Sequence, residues 1–314
     1  METIETIRVG PAGWNYRDWY GAVYPENPGK GFKELDYLVN YFDTAEINST
    51  FYRPANAYMA SAWVRKASGN PRFKFTAKLW QRFTHERKVF GLDEVKQVTL
   101  GMDPLAEAGK LGAVLCQFPW SFKNDATGKS WLDKVLDAFQ QYPLVVEVRH
   151  SSWDAQTFYD DLNRRNVGFA AIDQPVIGKS MGLKPIRTGE IGYVRMHGRN
   201  YEAWFPKNRS GISKTLGESR EGMQDTPAGR SGTKDSFVRY DYLYSEKEIL
   251  EIAEKVKTVA QGAKETYVVQ NNHPRGQAAA NALQIRAALG ETVLKAPETL
   301  IRKFPQLQTI VQKQ

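Results

Sequence analysis

The sequence predicts a (β/α)₈ barrel, read as one domain over all 314 residues. Three observations predict it. Eight short runs rich in β-branched and aromatic residues recur along the chain, most intervals between them hold one amphipathic helix, and polar or charged residues collect where the runs end. No Gly-x-Gly-x-x-Gly follows the first run and no phosphate-loop motif occurs, so an open nucleotide-binding sheet loses its main support.

The strands are read at 7–10, 44–48, 73–78, 113–118, 144–148, 168–172, 192–197 and 266–271. Their starts are separated by 37, 29, 40, 31, 24, 24 and 74 residues, room in most cases for one turn and one helix. The helix at 32–41 gathers Leu35, Leu38, Val39 and Phe42 on one side. Further helices are expected at 58–67, 93–108, 130–142, 154–166, 245–260 and 276–289. Ser245 with Glu248 has the spacing of a capping box, and Gly290 suits a helix C-terminus. The long last interval holds an insertion after strand seven, 206–236, rich in Gly, Ser, Lys and Arg and expected to be a flexible basic loop. The barrel is expected over 7–290, with a last helix or a tail at 295–314.

Composition narrows the class. A net charge of +8 suits an anionic small molecule or nucleic acid as partner, and a solvated surface equally well. The single cysteine, Cys116, lies in an apolar run and reads as a buried structural thiol, so neither an intramolecular disulfide nor a cysteine metal site is available. No stretch is apolar for long enough to span a membrane, and the first ten residues lack the pattern of a signal peptide. A cytoplasmic location is expected.

Alternate residues of a strand face the same way, so polar residues at i and i+2 near a strand end point together. Glu46 with Asn48, Glu147 with Arg149, Arg195 with His197, and Asn271 with His273 form such pairs. Lys78, Gln117 and Asp173 end three other strands, and Trp14 and Tyr16 follow the first. Barrel interiors are normally aliphatic and barrel chemistry sits at the C-terminal ends of the strands, so this ring is the candidate site. Glu46, Glu147, Asp173 and His197 are the candidate acids and bases. Lys78, Arg149 and Arg195 suit an anionic group, and Trp14, Tyr16, His150, Trp153, Gln117, Asn48, Asn271, Asn272 and His273 complete the expected binding set. A divalent metal is left open, because His150, His197 and His273 with the three acids offer nitrogen and oxygen donors. No His-x-x-x-His spacing supports it, and hydrogen-bonding histidines are the expectation.

The ordered segments GPAGW (10–14), AEINSTFY (45–52), FTAK (75–78), QFP (117–119), EVRHSSW (147–153), RMHG (195–198), RYDY (239–242), NNH (271–273) and AAN (279–281) resemble the YecE-like family, a domain of unknown function. They run from residue 7 to about 290, with Phe118 standing where the family pattern favours Leu. The resemblance implies a (β/α)₈ barrel and no settled activity. It also brings analogies with metal-dependent endonucleases and sugar isomerases, and a suggested nucleic-acid role, all at the level of fold. Three readings follow: a protein that binds or processes a phosphate-containing ligand or nucleic acid, a carboxylate-dependent sugar hydrolase or isomerase, and a non-catalytic binding protein. The basic balance favours the first.

Overall fold

The computed structural model describes residues 7–204 and 234–311. Eight parallel strands are hydrogen-bonded in the order β1-β8-β7-β6-β5-β4-β3-β2. They are β1 (Ile7–Pro11), β2 (Thr44–Ile47), β3 (Lys74–Lys78), β4 (Leu111–Gln117), β5 (Leu144–Glu147), β6 (Gly168–Asp173), β7 (Ile191–Met196) and β8 (Glu265–Gln270). The gap between β1 and β2 is bridged only where Ala12 meets Glu46, with Gly13 N–H donating to the Glu46 carbonyl at 2.9 Å. The barrel is nearly closed, as the sequence predicts.

Helices cover its outside: α1 (Glu34–Leu38), α2 (Ser49–Tyr52), α3 (Ala57–Ala67), α4 (Leu92–Glu107), α5 (Ala126–Ala138), α6 (Gln156–Arg164), α7 (Tyr201–Trp204), α8 (Lys234–Tyr240), α9 (Glu246–Ala260), α10 (Gln277–Ala288) and α11 (Glu298–Lys303). Their starts follow local chemistry. Asn56 accepts from Met59 N–H, Asp125 accepts from Gly128 N–H, and Ser245 with Glu248 forms the expected box. The short α2 and α7 leave no periodic signature and were not expected. The segment at 295–314 supplies α11 and a 3₁₀ turn, which bury Leu300, Phe304 and Leu307. The insertion expected at 206–236 lies, apart from its last three residues, outside the described residues. No helix among the described residues is long and apolar enough to cross a membrane.

Two apolar regions hold the barrel together. The layer between strands and helices buries Trp19, Phe42, Phe73, Phe75, Phe83 and Trp153, and truncating any one of these rings costs about 3–5 kcal/mol. Cys116 is buried there too, and burial pushes its thiol up to about 12. The interior holds Ala113, Leu115, Val145, Ala170, Tyr193, Tyr267 and Val269. β4 carries one extra residue opposite β3, since Phe75 pairs with Leu111 and Thr76 with Ala113. That residue is Gly112, where a Cβ would lie 2.2 Å from the Tyr267 hydroxyl oxygen. The bulge makes room for a large ring inside the barrel and sets the phase that turns Gln117 inward.

Candidate functional site

Strand alternation builds the site. Tyr193 lies in the interior cluster, so Arg195 and His197, two and four residues on, also face inward. The same phase brings in Glu46 from β2, Lys78 from β3, Gln117 from β4, Glu147 at the end of β5 with Arg149 two residues beyond it, and Asn271 beyond β8. All these side chains stand at the C-terminal end of the barrel.

Their centre is Arg195, 1 % exposed. Its Nη2 donates to Glu46 Oε1 at 2.7 Å and its Nε to Glu46 Oε2 at 3.1 Å, a two-point clamp. Nη1 donates to Glu147 Oε2 at 3.2 Å and to Gln117 Oε1 at 3.4 Å. Glu147 Oε1 accepts from Arg149 Nε at 3.0 Å. Tyr193 donates its hydroxyl to Glu46 Oε2 at 2.8 Å, and Thr76 Oγ1 lies 3.1 Å from the same hydroxyl. Charges therefore alternate along the chain Glu46–Arg195–Glu147–Arg149. Burial would raise the Glu147 carboxyl, yet Arg195 and Arg149 hold it well below the usual carboxylate range. Burial likewise opposes the Arg195 cation, and Glu46 and Glu147 more than offset it.

His197 is fully buried beside this network. The Asn271 amide nitrogen lies 2.9 Å from His197 Nδ1, and Arg195 Nη1, which can only donate, lies 3.4 Å from Nε2. Nε2 faces Glu147 Oε1 at 3.7 Å. Burial lowers the imidazole to about 4, against the pull of Glu147, so the ring is neutral at physiological pH.

Aromatic rings border the charges. Tyr240 lies 5.9 Å from His197, from Trp204 and from His273, between centroids. His273 stacks on Tyr16 at 4.4 Å with planes 9° apart. Tyr16 donates its hydroxyl to the Ala12 carbonyl, and Asn48 also bonds that hydroxyl. Burial, then the nearby Glu46, raises its pKa, so it remains a phenol.

Five expected site residues are turned elsewhere. Asp173 is the last residue of β6 and shares the outward phase of Phe169 and Ala171. Its carboxylate accepts from Arg199 Nη2 at 2.7 Å and from the Tyr244 hydroxyl at 2.6 Å, outside the ring of inward groups. Asn272 is one residue out of phase with Asn271 and donates to the Asn281 side chain at 2.7 Å and the Tyr242 carbonyl at 2.9 Å. His150 follows the inward Arg149 and starts a short 3₁₀ turn, with Nδ1 2.8 Å from Ser152 Oγ. Trp153 is buried, stacked on Phe122, and donates to the Phe122 carbonyl at 2.8 Å. Trp14 packs on Phe75 and edge-on to Trp63 of α3, in the layer between strands and helices. Among the described residues no three His, Cys, Asp or Glu side chains are gathered as metal ligands would be.

Sequence reasoning missed Tyr193, Thr76, Tyr240 and Trp204. Tyr193 was open to the same i, i+2 rule, two residues before Arg195, but a tyrosine near the middle of a strand reads as core. Tyr240 and Trp204 reach His197 through α7 and α8, which have no sequence signature.

A family model described as "Protein of unknown function DUF72" matches residues 8–306. The chain is 24 % identical over 290 residues to the UPF0759 protein YunF of Bacillus subtilis (strain 168), spanning 89 % of this chain and 93 % of that protein. Among solved structures it is similar to a DUF72 family protein from Thermotoga maritima MSB8, with a TM-score of 0.72 and 31 % identity over 91 % of this chain and 100 % of that one. A DUF72 family protein from Enterococcus faecalis V583 matches with a TM-score of 0.72 and 22 % identity, over 93 % of this chain and 99 % of that one, which speaks for the fold alone.

Proposed function

The chain belongs to the DUF72 family, and we propose that its C-terminal barrel mouth binds a phosphate-containing ligand, nucleic acid included. The observation that carries this reading is the order of charges. The chain Glu46–Arg195–Glu147–Arg149 ends in a guanidinium whose side chain is 14 % exposed, while the three groups before it are at most 1 % exposed. Both carboxylates are engaged by Arg195, so Arg149 is the charge of the network nearest to an incoming ligand, and its planar fork matches a phosphate. Lys78 adds a second cation on the inward face of β3. The half-buried ring of His273, stacked on Tyr16, is the aromatic group beside the charges against which a base can stack. Arg195 is the positioning residue that holds both carboxylates, and neutral His197 packs beside it with both ring nitrogens engaged.

The sugar-hydrolase reading loses support, because Glu46 and Glu147 are tied to one guanidinium and a glycosidic bond needs space between its two carboxylates. A non-catalytic receptor keeps one observation in its favour. Glu147 is held ionised and His197 neutral, so neither titrates near pH 7, where a general acid or base works best.

Fluorescence anisotropy of a labelled single-stranded oligonucleotide, at about 50 and 200 mM salt, tests the proposal. Affinity is expected to fall with salt and to drop by about tenfold or more in Arg149→Ala, the loss of one hydrogen-bonded charge. Binding insensitive to both salt and Arg149→Ala overturns it. Full affinity in Glu147→Gln, with no turnover by either protein, selects the receptor.

A further inference from the structure

A second cationic group lies on the loops that follow β3 and β4, away from the barrel axis. These loops and the start of α5 border an open surface pocket of about 240 Å³ lined by Arg87, Phe122, Lys123, Asp125, Thr127 and Trp131. Arg87 has a φ of 48°, in the left-handed region, where it ends the helical turn 82–86. Its guanidinium carbon lies 5.5 Å from the centroid of the Phe122 ring. That ring is itself fixed, stacked between Phe118 at 4.1 Å and Trp153 at 5.1 Å. Arg87 Nη1 is shielded from solvent and has no hydrogen-bond partner among the described residues. Burial lowers the Arg87 pKa, opposed only by Asp125.

A desolvated cationic N–H without an acceptor is expensive, and folded proteins keep such groups where a ligand supplies the acceptor. One other charged group of the pocket agrees with an anion. Lys123 lines it beside the Trp131 ring that forms one wall. Against an anion stands the Asp125 carboxylate of the lining, which caps α5 by accepting from Gly128 N–H at its Oδ1 at 2.8 Å and whose charge also acts on Arg87. Helix α5 is thereby already capped and does not account for the site. The volume falls below the usual range for drug-sized ligands and suits a small ionic head.

We propose that this cavity is a binding site for a phosphate-type oxyanion, with Arg87 and Lys123 as its charged contacts and Phe122 and Trp131 as its walls. The site is separate from the barrel mouth and does not depend on what the mouth binds. Arg87 supplies the fork, oriented by the rigid Phe118–Phe122–Trp153 stack. Lys123 supplies a second charge from the segment that joins β4 to α5.

Isothermal titration of the full chain with inorganic phosphate at low ionic strength tests this, using Arg87→Gly, Lys123→Ala and Arg149→Ala. Glycine accepts the left-handed backbone, so Arg87→Gly should melt no lower than the unaltered protein while losing the guanidinium. Phosphate binding that weakens about tenfold or more in Arg87→Gly and in Lys123→Ala, and persists in Arg149→Ala, is the expected result. Loss that tracks Arg149→Ala instead assigns the ion to the mouth and overturns the proposal. So does binding unchanged in Arg87→Gly, or no binding by the unaltered protein.

Discussion

Replacing Arg195 with Met removes the side chain that bonds Glu46, Glu147 and Gln117 together. Glu46 keeps the Tyr193 hydroxyl and Glu147 keeps Arg149, but two fully buried carboxylates lose the charge between them. Breaking a buried pair by deleting one partner costs about 3–5 kcal/mol, because the remaining charge stays desolvated. A chain of this length loses roughly 2 °C in Tm per kcal/mol, so Arg195→Met should melt about 6–10 °C lower at pH 7.5. The pH dependence is the sharper part. In the unaltered protein the folded Glu147 carboxyl is depressed, so its contribution is present above the unfolded carboxylate range and is lost as pH falls through the folded value. With Arg195 gone, only Arg149 still opposes the effect of burial on Glu147, so its folded carboxyl rises from its depressed value and the deficit should shrink between pH 7.5 and 5. Thermal melts of the two proteins across that range measure it. A deficit below about 1 kcal/mol that does not change with pH would refute the reasoning.

Three further outcomes follow from the same geometry. Tyr193→Phe removes one hydrogen bond to a buried carboxylate and should cost about 1.5–3 kcal/mol in urea unfolding; an unchanged midpoint would show that Glu46 does not need it. Asp173→Asn should lower stability through Arg199 and Tyr244 by about 1–3 kcal/mol and leave ligand affinity at the mouth unchanged; lost affinity at full stability would return Asp173 to the site. Nitrogen NMR of His197 should report a neutral ring from pH 8 down to about 5, since its pKa is lowered to about 4, and a midpoint between 6 and 7 would contradict the burial argument.

The barrel was legible because each strand is a short run of branched and aromatic residues, and the inward ring was legible because alternation is strict along a strand. That rule placed Glu46, Glu147, Arg149, Arg195, His197 and Asn271 together, and position at a strand end added Lys78 and Gln117. The reading misled where phase was assigned by proximity to a strand end. β6 runs one residue further than expected, which makes Asp173 an outward residue in step with Phe169 and Ala171. Asn272 and His150 fail in the same way, each one step out of phase with an inward neighbour. Trp14 and Trp153 failed for another reason, since a loop tryptophan can fold back into the apolar layer and gains more by burial than by lining a solvated mouth. The cavity at Arg87 had no sequence signal, because a cavity between two loops arises only from tertiary packing.

A crystal structure of the protein with a nucleoside monophosphate tests the central claim most directly, namely that the C-terminal mouth takes a phosphate at Arg149 beside an aromatic shelf. The account predicts the phosphate within hydrogen-bond reach of Arg149 and the base against His273. A nucleotide bound with its phosphate away from Arg149, or a mouth left empty at saturating ligand, would contradict it.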